Sequence, residues 1–431
     1  MNPADQDASI DKYPTSLPDA SFYRWAVVGM LWFLCFFNYA DRLAIFSVFP
    51  VLEKQYHFTK SELGVIGAAF TWVYALGAPV AGHIGDRYPR KWVILGGLYL
   101  WSLITGLTAL CTRVWQFVLV RGAEGLGETF YFPASMALIS DYHTPATRSR
   151  AIGLHQTSIY AGTIGGAALA GWMAQKYGWQ SPFRMLALAG ILLGLILSRF
   201  IREPRRNQAE RQGYPEEGEL PLVPMRVFLW EFVRTPTAVL LVTAYFGANL
   251  VGFVFLTWMP TFLKEKFGLN LAMASLGATF FIQSASMVGS LLGGIIADIR
   301  VRQSAAGRIQ VQALAILLGA PFVFLCGYTR NPGWLIAAMT LFGLYKGIYD
   351  ANLTASFYDV IRPARRSTAT GLMNFIGWVG AGLGSVAVGV AVDHHVTMSV
   401  AISSTALIYL GVAAILYAST FTAPADIRAT R

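Results

Sequence analysis

Apolar residues along this chain come in runs of about twenty, each long enough to cross a hydrocarbon core of ~30 Å, broken by short clusters of charge, glycine and proline. The pattern predicts membrane-spanning helices near residues 22–52, 61–85, 92–112, 114–141, 147–176 and 182–202. Six more are predicted near 237–265, 271–298, 308–329, 332–361, 366–393 and 396–420. An outer-membrane barrel is excluded, because its strands would alternate apolar and polar positions over about ten residues. The expected fold class is an all-α membrane protein, with twelve transmembrane helices in two six-helix bundles, 22–202 and 237–420. Polar tails are expected at 1–21 and 421–431, and a charged linker at 203–236. Within the linker, Met225 to Val233 mixes apolar residues with Arg226 and Glu231, which predicts a short helix on the cytoplasmic surface.

Composition reinforces this picture. Hydrophobic residues make up 55% of the 431 positions and charged ones 13%, with a mean hydropathy of +0.50, which excludes a soluble multidomain enzyme. The net charge of +10 would suggest nucleic acid as a partner in a soluble chain, but here the cations sit between spans. Arg87, Arg90 and Lys91, then Arg148 and Arg150, then Arg300, Arg302 and Arg308, then Arg362, Arg365 and Arg366 all fall on one side if spans alternate direction. That is the positive-inside pattern of a bacterial inner-membrane protein with both termini cytoplasmic. Residues 1–21 lack the features of a signal peptide, so the first span is expected to direct its own insertion. Cys35, Cys111 and Cys326 have no metal or disulfide spacing, and the six histidines form no ligand motif, so neither metal nor cofactor is expected.

The two halves repeat. Sliding the chain by 218 positions lays Pro145–Leu154 over Pro363–Leu372 and keeps Gly162, Gly166 and Gly171 over Gly380, Gly384 and Gly389. Asp141 then falls on Asp359, and Glu128 on Lys346. A duplicated six-helix unit is the plan of transporters whose pseudo-symmetric halves rock about a central site.

The segment Gly82-His-Ile-Gly-Asp86-Arg87-Tyr-Pro-Arg90-Lys91 resembles the G-x-x-x-D-R-x-G-R-[RK] loop of the major facilitator superfamily, with Pro89 in place of a glycine. Gly294-Ile-Ile-Ala-Asp298 with Arg300 and Arg302 is a weaker echo in the second half. Arg121-Gly-Ala-Glu124-Gly-Leu-Gly-Glu128 is similar to the superfamily's R-x-x-x-G-x-G pattern. The resemblance implies the major facilitator fold and a cytoplasmic latch formed by Gly82, Asp86, Arg87, Arg90, Lys91 and Asp298. Two subfamilies match. Asn38-Tyr-Ala-Asp41-Arg42, Trp101-Ser102 and Gly127-Glu128-Thr-Phe-Tyr131 resemble Spinster-type transporters. The G-x-G-E with Phe132-Pro133-Ala134, and Trp258-Met-Pro260-Thr, resemble the anion:cation symporters, which include sugar-acid permeases.

Seven ionisable residues lie well inside predicted spans: Asp41, Arg42, Arg121, Glu124, Glu128, Lys346 and Asp350. At roughly 2.5 to 3.5 kcal/mol each, about 20 kcal/mol would oppose insertion if none were paired, so they are expected to face one another or water. Arg121, Glu124 and Glu128 share one helical stripe, and Lys346 and Asp350 are one turn apart. Asp41 and Glu128 are the expected proton carriers: burial favours a neutral carboxyl and a nearby Arg42 or Arg121 a charged one, so protonation breaks an ion pair. Arg42, Arg121, Glu124, Lys346 and Asp350 are candidate substrate or gating charges. Asn38, Tyr39, Tyr131, His155, Gln156, Asn249, Gln283, Tyr349 and Asn374 are candidate cavity-lining residues.

The resulting expectation is a secondary transporter, working as a monomer in the lipid bilayer, that moves a small organic anion such as a sugar acid together with protons. The alternative is proton-coupled movement of lysophospholipid or a similar amphiphile. No nucleophile elbow, metal motif or Walker A loop points to an enzyme or an ATP-driven pump.

Overall fold

The computed structural model describes residues 20–204, 225–362 and 365–430, with side chains excepted at 20, 21, 79, 80, 82–87, 145, 146, 149, 225 and 367. The regular elements among the described residues are α-helices, as hydrocarbon demands of a chain that must satisfy its own backbone groups. The first half comprises α1 (Ala20–Tyr56), α2 (Lys60–Arg87), α3 (Arg90–Thr108), α4 (Val114–Thr129), α5 (Tyr131–Tyr142), α6 (Pro145–Tyr177) and α7 (Ser181–Phe200). After the short α8 (Met225–Val233) come α9 (Pro236–Phe267), α10 (Leu271–Val301), α11 (Gly307–Tyr328), α12 (Pro332–Asp359), α13 (Arg366–Asp393) and α14 (Met398–Thr430).

Nine of the described helices are long and apolar enough to cross a membrane. The exceptions besides α8 have physical reasons. α4 and α5 are two pieces of one rod, broken at Phe130, where the missing N–H of Pro133 leaves the Thr129 carbonyl without its helical donor. α6 and α12 carry polar side chains in mid-helix, His155 and Gln156 in one and Lys346 and Asp350 in the other. Counting α4 and α5 together and setting α8 apart leaves twelve rods.

Local signals set the ends. Proline opens α6, α7, α9 and α12, where its lost N–H costs nothing. Asn331 caps α12 by accepting from the N–H groups of Gly333 and Trp334, and Gly268, at φ +65°, closes α9 in the left-handed region. The last helix runs on past residue 420, where a tail was expected. Pro424 removes one hydrogen bond without ending it, because Ala423 and Ile427 are buried against the bundle.

The packing is that of a duplicated unit. α1 packs on α6 as α9 does on α13, α2 on α4 as α10 on α12, and α3 on α7 as α11 on α14. An ion pair between Arg90 and Asp141 recurs 218 positions later as Arg308 with Asp359, at 2.7 Å. The two larger seams between the halves, α2 with α13 and α6 with α10, are related too, and α1 also meets α9. Asp393 at the end of α13 accepts from the backbone N–H groups of Lys60 (3.0 Å) and Ser61 (2.7 Å), the N-terminus of α2. Gln175, 218 positions before Asp393, accepts from Ala272 N–H (3.1 Å) at the N-terminus of α10. Each helix end thus finds its cap on the opposite half. Lys60 reinforces the first seam by bridging Glu53 (2.6 Å) and Glu265 (2.5 Å). The halves meet at this end of the bundle, opposite the arginine-rich loops.

Candidate functional site

Between the seams, charge is concentrated in the N-terminal half. α1 supplies Asn38, Asp41 and Arg42, α4 supplies Arg121, Glu124 and Glu128, and all six are 1–3% exposed. Gly125 permits the approach that builds the cluster: a Cβ there would lie 2.5 Å from the Phe70 carbonyl, so α2 packs directly on α4. Phe70 then lies against both guanidinium groups, 4.8 Å from Arg42 and 4.7 Å from Arg121.

The arginines are already engaged. Arg42 donates through Nε (3.1 Å) and Nη2 (2.8 Å) to one oxygen of Glu128, and through Nη2 to Asn38 (3.4 Å). Arg121 donates to Glu124 at 2.6 Å and to the Arg42 carbonyl at 3.2 Å. Aromatic rings enclose Arg42: besides Phe70, the rings of Tyr39 (4.5 Å), Tyr74 (5.1 Å) and Trp378 (5.5 Å) lie over it. Trp378 belongs to the C-terminal half and also meets Tyr74 at 5.3 Å, so the clamp spans both halves.

Asp41 stands apart. Its charged neighbours are Glu124, Glu128 and Arg121, but it makes no ion pair among the described residues, and its Oδ1 is buried without a hydrogen-bond partner. One oxygen each of Glu124 and Glu128, and Nη1 of Arg42, are likewise buried and unpartnered. Three carboxyl groups therefore share a water-poor site with two guanidiniums, one acid more than the cations can neutralise.

The C-terminal half answers with a single pair. Lys346 and Asp350 lie 2.5 Å apart with side chains 24% and 35% exposed, open to the space between the halves, and Tyr160 of α6 is their neighbour across it. Gln156, Asn249 and Asn374 are half-buried, while Gln283 is buried beside Lys346.

Three expected lining residues sit elsewhere. The Tyr131 hydroxyl donates to the Leu31 carbonyl (2.8 Å) and accepts from His155 Nε2 (2.7 Å), and both side chains are buried within the N-terminal bundle. Tyr349 is buried in the C-terminal core, its carbonyl accepting from Gln312. A polar side chain buried inside one bundle looks the same in sequence as one facing a cavity.

Of the expected latch, Arg90 pairs with Asp141, and the Arg90 and Lys91 N–H groups donate to Glu203 (2.8 and 2.7 Å), which caps α3. Lys91 also donates to the Ser198 carbonyl, and Asp298 lies 4.0 Å from Arg308. The side chains of residues 82–87 lie outside the described set. Trp378 is among the aromatics that the sequence sets close to the polar stripes, whereas the sequence reading missed Phe70 and Tyr74, which have no periodic signal to distinguish them from core aromatics. It also missed Lys60, Asp393 and Gln175. For these a signal existed: an acid and an amide at equivalent ends of repeated helices.

Two pseudo-symmetric bundles around buried charges now stand beside known proteins. The profile of the Major Facilitator Superfamily matches residues 31–385. The chain is 24% identical over 434 residues to the probable galactarate/D-glucarate transporter GudP of Escherichia coli (strain K12), covering 95% of each. It is 27% identical over 369 residues to protein spinster homolog 1 of Homo sapiens, covering 80% of this chain and 68% of that one. In fold it is similar to a bacterial homolog of the human lysosomal transporter Spinster, solved in an inward-facing and unoccupied conformation, with a TM-score of 0.80 at 20% identity over 94% of this chain and 98% of the other. With a profile that covers most of its length and a duplicated six-helix architecture to match, this chain belongs to the Major Facilitator Superfamily of membrane transporters.

Proposed function

We propose that the protein is a proton-coupled transporter of a small organic anion such as a sugar acid. The observation that carries this reading is the buried count of three carboxyls against two guanidiniums around Arg42 and Arg121. One proton neutralises the excess acid. Asp41, which has no cation of its own, is its first station, and Glu128, held by Arg42, is the second. When the proton reaches Glu128, the Arg42 pair opens and the guanidinium becomes available to a substrate carboxylate. Lys346 offers a second cation from the facing half. Because Trp378 of the C-terminal half covers Arg42, a change at this pair is felt at the contact between the halves, which biases their rocking. The seams close the end away from the arginine-rich loops, which with those loops cytoplasmic is the outer end. The similarity to sugar-acid transporters supports the substrate class.

A second reading, movement of a lysophospholipid-like amphiphile, is favoured by the aromatic seam between the halves, where Phe46 meets Phe253 at 5.7 Å and Phe49 meets Trp258 at 5.9 Å. Proteoliposomes carrying a pH indicator separate the two. Under the first reading, galactarate or glucarate drives proton flux that Asp41→Asn and Glu128→Gln both abolish, and lysophosphatidylcholine drives none. Flux evoked by the lysolipid alone supports the second reading, and flux unchanged in both variants sinks the proton stations.

A further inference from the structure

Far from the buried charges, a cavity of about 210 Å³ lies beneath α8, between that helix and the ends of α12 and α14. α8 buries Phe228 and Phe232 against the bundle, Phe232 meeting Phe357 at 6.4 Å. It leaves a second apolar stripe bare: Val227, Leu229, Trp230 and Val233 are 41–70% exposed. On a protein whose helices cross a membrane, a bare stripe beside the ends of the spans is bathed by lipid at the level of the headgroups.

The cavity below that stripe is lined by Arg234, Arg362 and Arg365 together with Glu231 and Asp426. Both acids are committed. Glu231 accepts from Arg365 at 3.1 Å, and Asp426 accepts from the Thr237 N–H at 2.9 Å, where it caps α9. Of the cations, Arg362 and Arg234 have no carboxylate partner among the described residues, Arg234 resting on the ring of Trp230 at 3.6 Å. Arg365 keeps one buried guanidinium nitrogen, Nη1, without a hydrogen-bond partner. Three guanidiniums with spare donors around one cavity, beside an apolar stripe at headgroup depth, match a phosphodiester that carries acyl chains.

We propose that this cavity binds the headgroup of an anionic glycerophospholipid of the surrounding leaflet, with Arg234, Arg362 and Arg365 on the phosphate and the bare side of α8 against the acyl chains. The occupied site pins α8, the last element of the segment that joins the halves. Native mass spectrometry of the full chain in detergent tests it, with dioleoyl phosphatidylglycerol, dioleoyl phosphatidylcholine and glycerol 3-phosphate as probes.

The wild type is expected to retain phosphatidylglycerol at about tenfold lower concentration than phosphatidylcholine. Arg234→Gln with Arg362→Gln should erase the difference, and Arg234→Lys with Arg362→Lys should keep it. Both variants leave the Arg365–Glu231 pair that anchors α8. Equal retention of the two lipids by the wild type overturns the proposal, as does a preference that survives the glutamine changes or vanishes with the lysine ones. Binding of glycerol 3-phosphate as tight as that of phosphatidylglycerol also overturns it, since the ligand would then be a soluble phosphate.

Discussion

The two bundles share a scaffold and differ at its centre. Arg90–Asp141 and Arg308–Asp359 occupy equivalent places, and each seam caps a helix end across the halves. At the middle, the N-terminal half buries five charged groups at 1–3% exposure, whereas the C-terminal half offers one pair, 24% and 35% exposed. Burial makes the first set expensive to disturb, since a charge stripped of its partner there has no water to turn to. The second set sits where water already shares the load. The halves share the contacts that hold the bundles together and differ in the charges at their centre.

The largest expected effect comes from orphaning a buried acid. Arg42→Met leaves Glu128 without its cation and should lower stability by about 3 to 5 kcal/mol, read as a lower thermal midpoint in detergent. Adding Glu128→Gln should restore most of that loss. A small loss in the single variant would show that water reaches the N-terminal centre and that the halves differ less than their exposures say. The matching change in the other half, Lys346→Met, should cost under about 1 kcal/mol by the same measurement, because Asp350 keeps water. A loss as large as that of Arg42→Met would erase the contrast.

The smallest effect lies at the seams. Asp393→Asn keeps an acceptor for the α2 N-terminus but removes its charge, weakening that seam by about 1 kcal/mol. Spin labels placed across α2 and α13 would then report more molecules with the seam parted. An unchanged distance distribution would mean that the Lys60 bridge to Glu53 and Glu265 carries the closure alone.

Much of this was legible in the sequence, for physical reasons. A span announces itself by length, and an ionisable residue inside one must find a partner, so Asp41, Arg42, Arg121, Glu124 and Glu128 could be expected to gather. Which acid meets which arginine could not be read, because neighbouring residues of a helix point about 100° apart and the choice depends on how α1 faces α4. Arg42 thus reaches Glu128, while Asp41, one residue earlier, pairs with neither guanidinium among the described residues. The break at Phe130 was written in Pro133, yet hydropathy runs through it undisturbed. Tyr74 and Trp378 come from opposite halves, and nothing local marks their meeting over Arg42.

The clasps at the seams draw their donors from the main chain, at the first residues of α2 and α10. No substitution short of proline can delete a backbone N–H. These two contacts can therefore be retuned only from the acceptor side, trading an acid for an amide as at 393 and 175. Changing the acceptor makes a seam firmer or looser, while the main-chain donors keep the register in which the two halves meet.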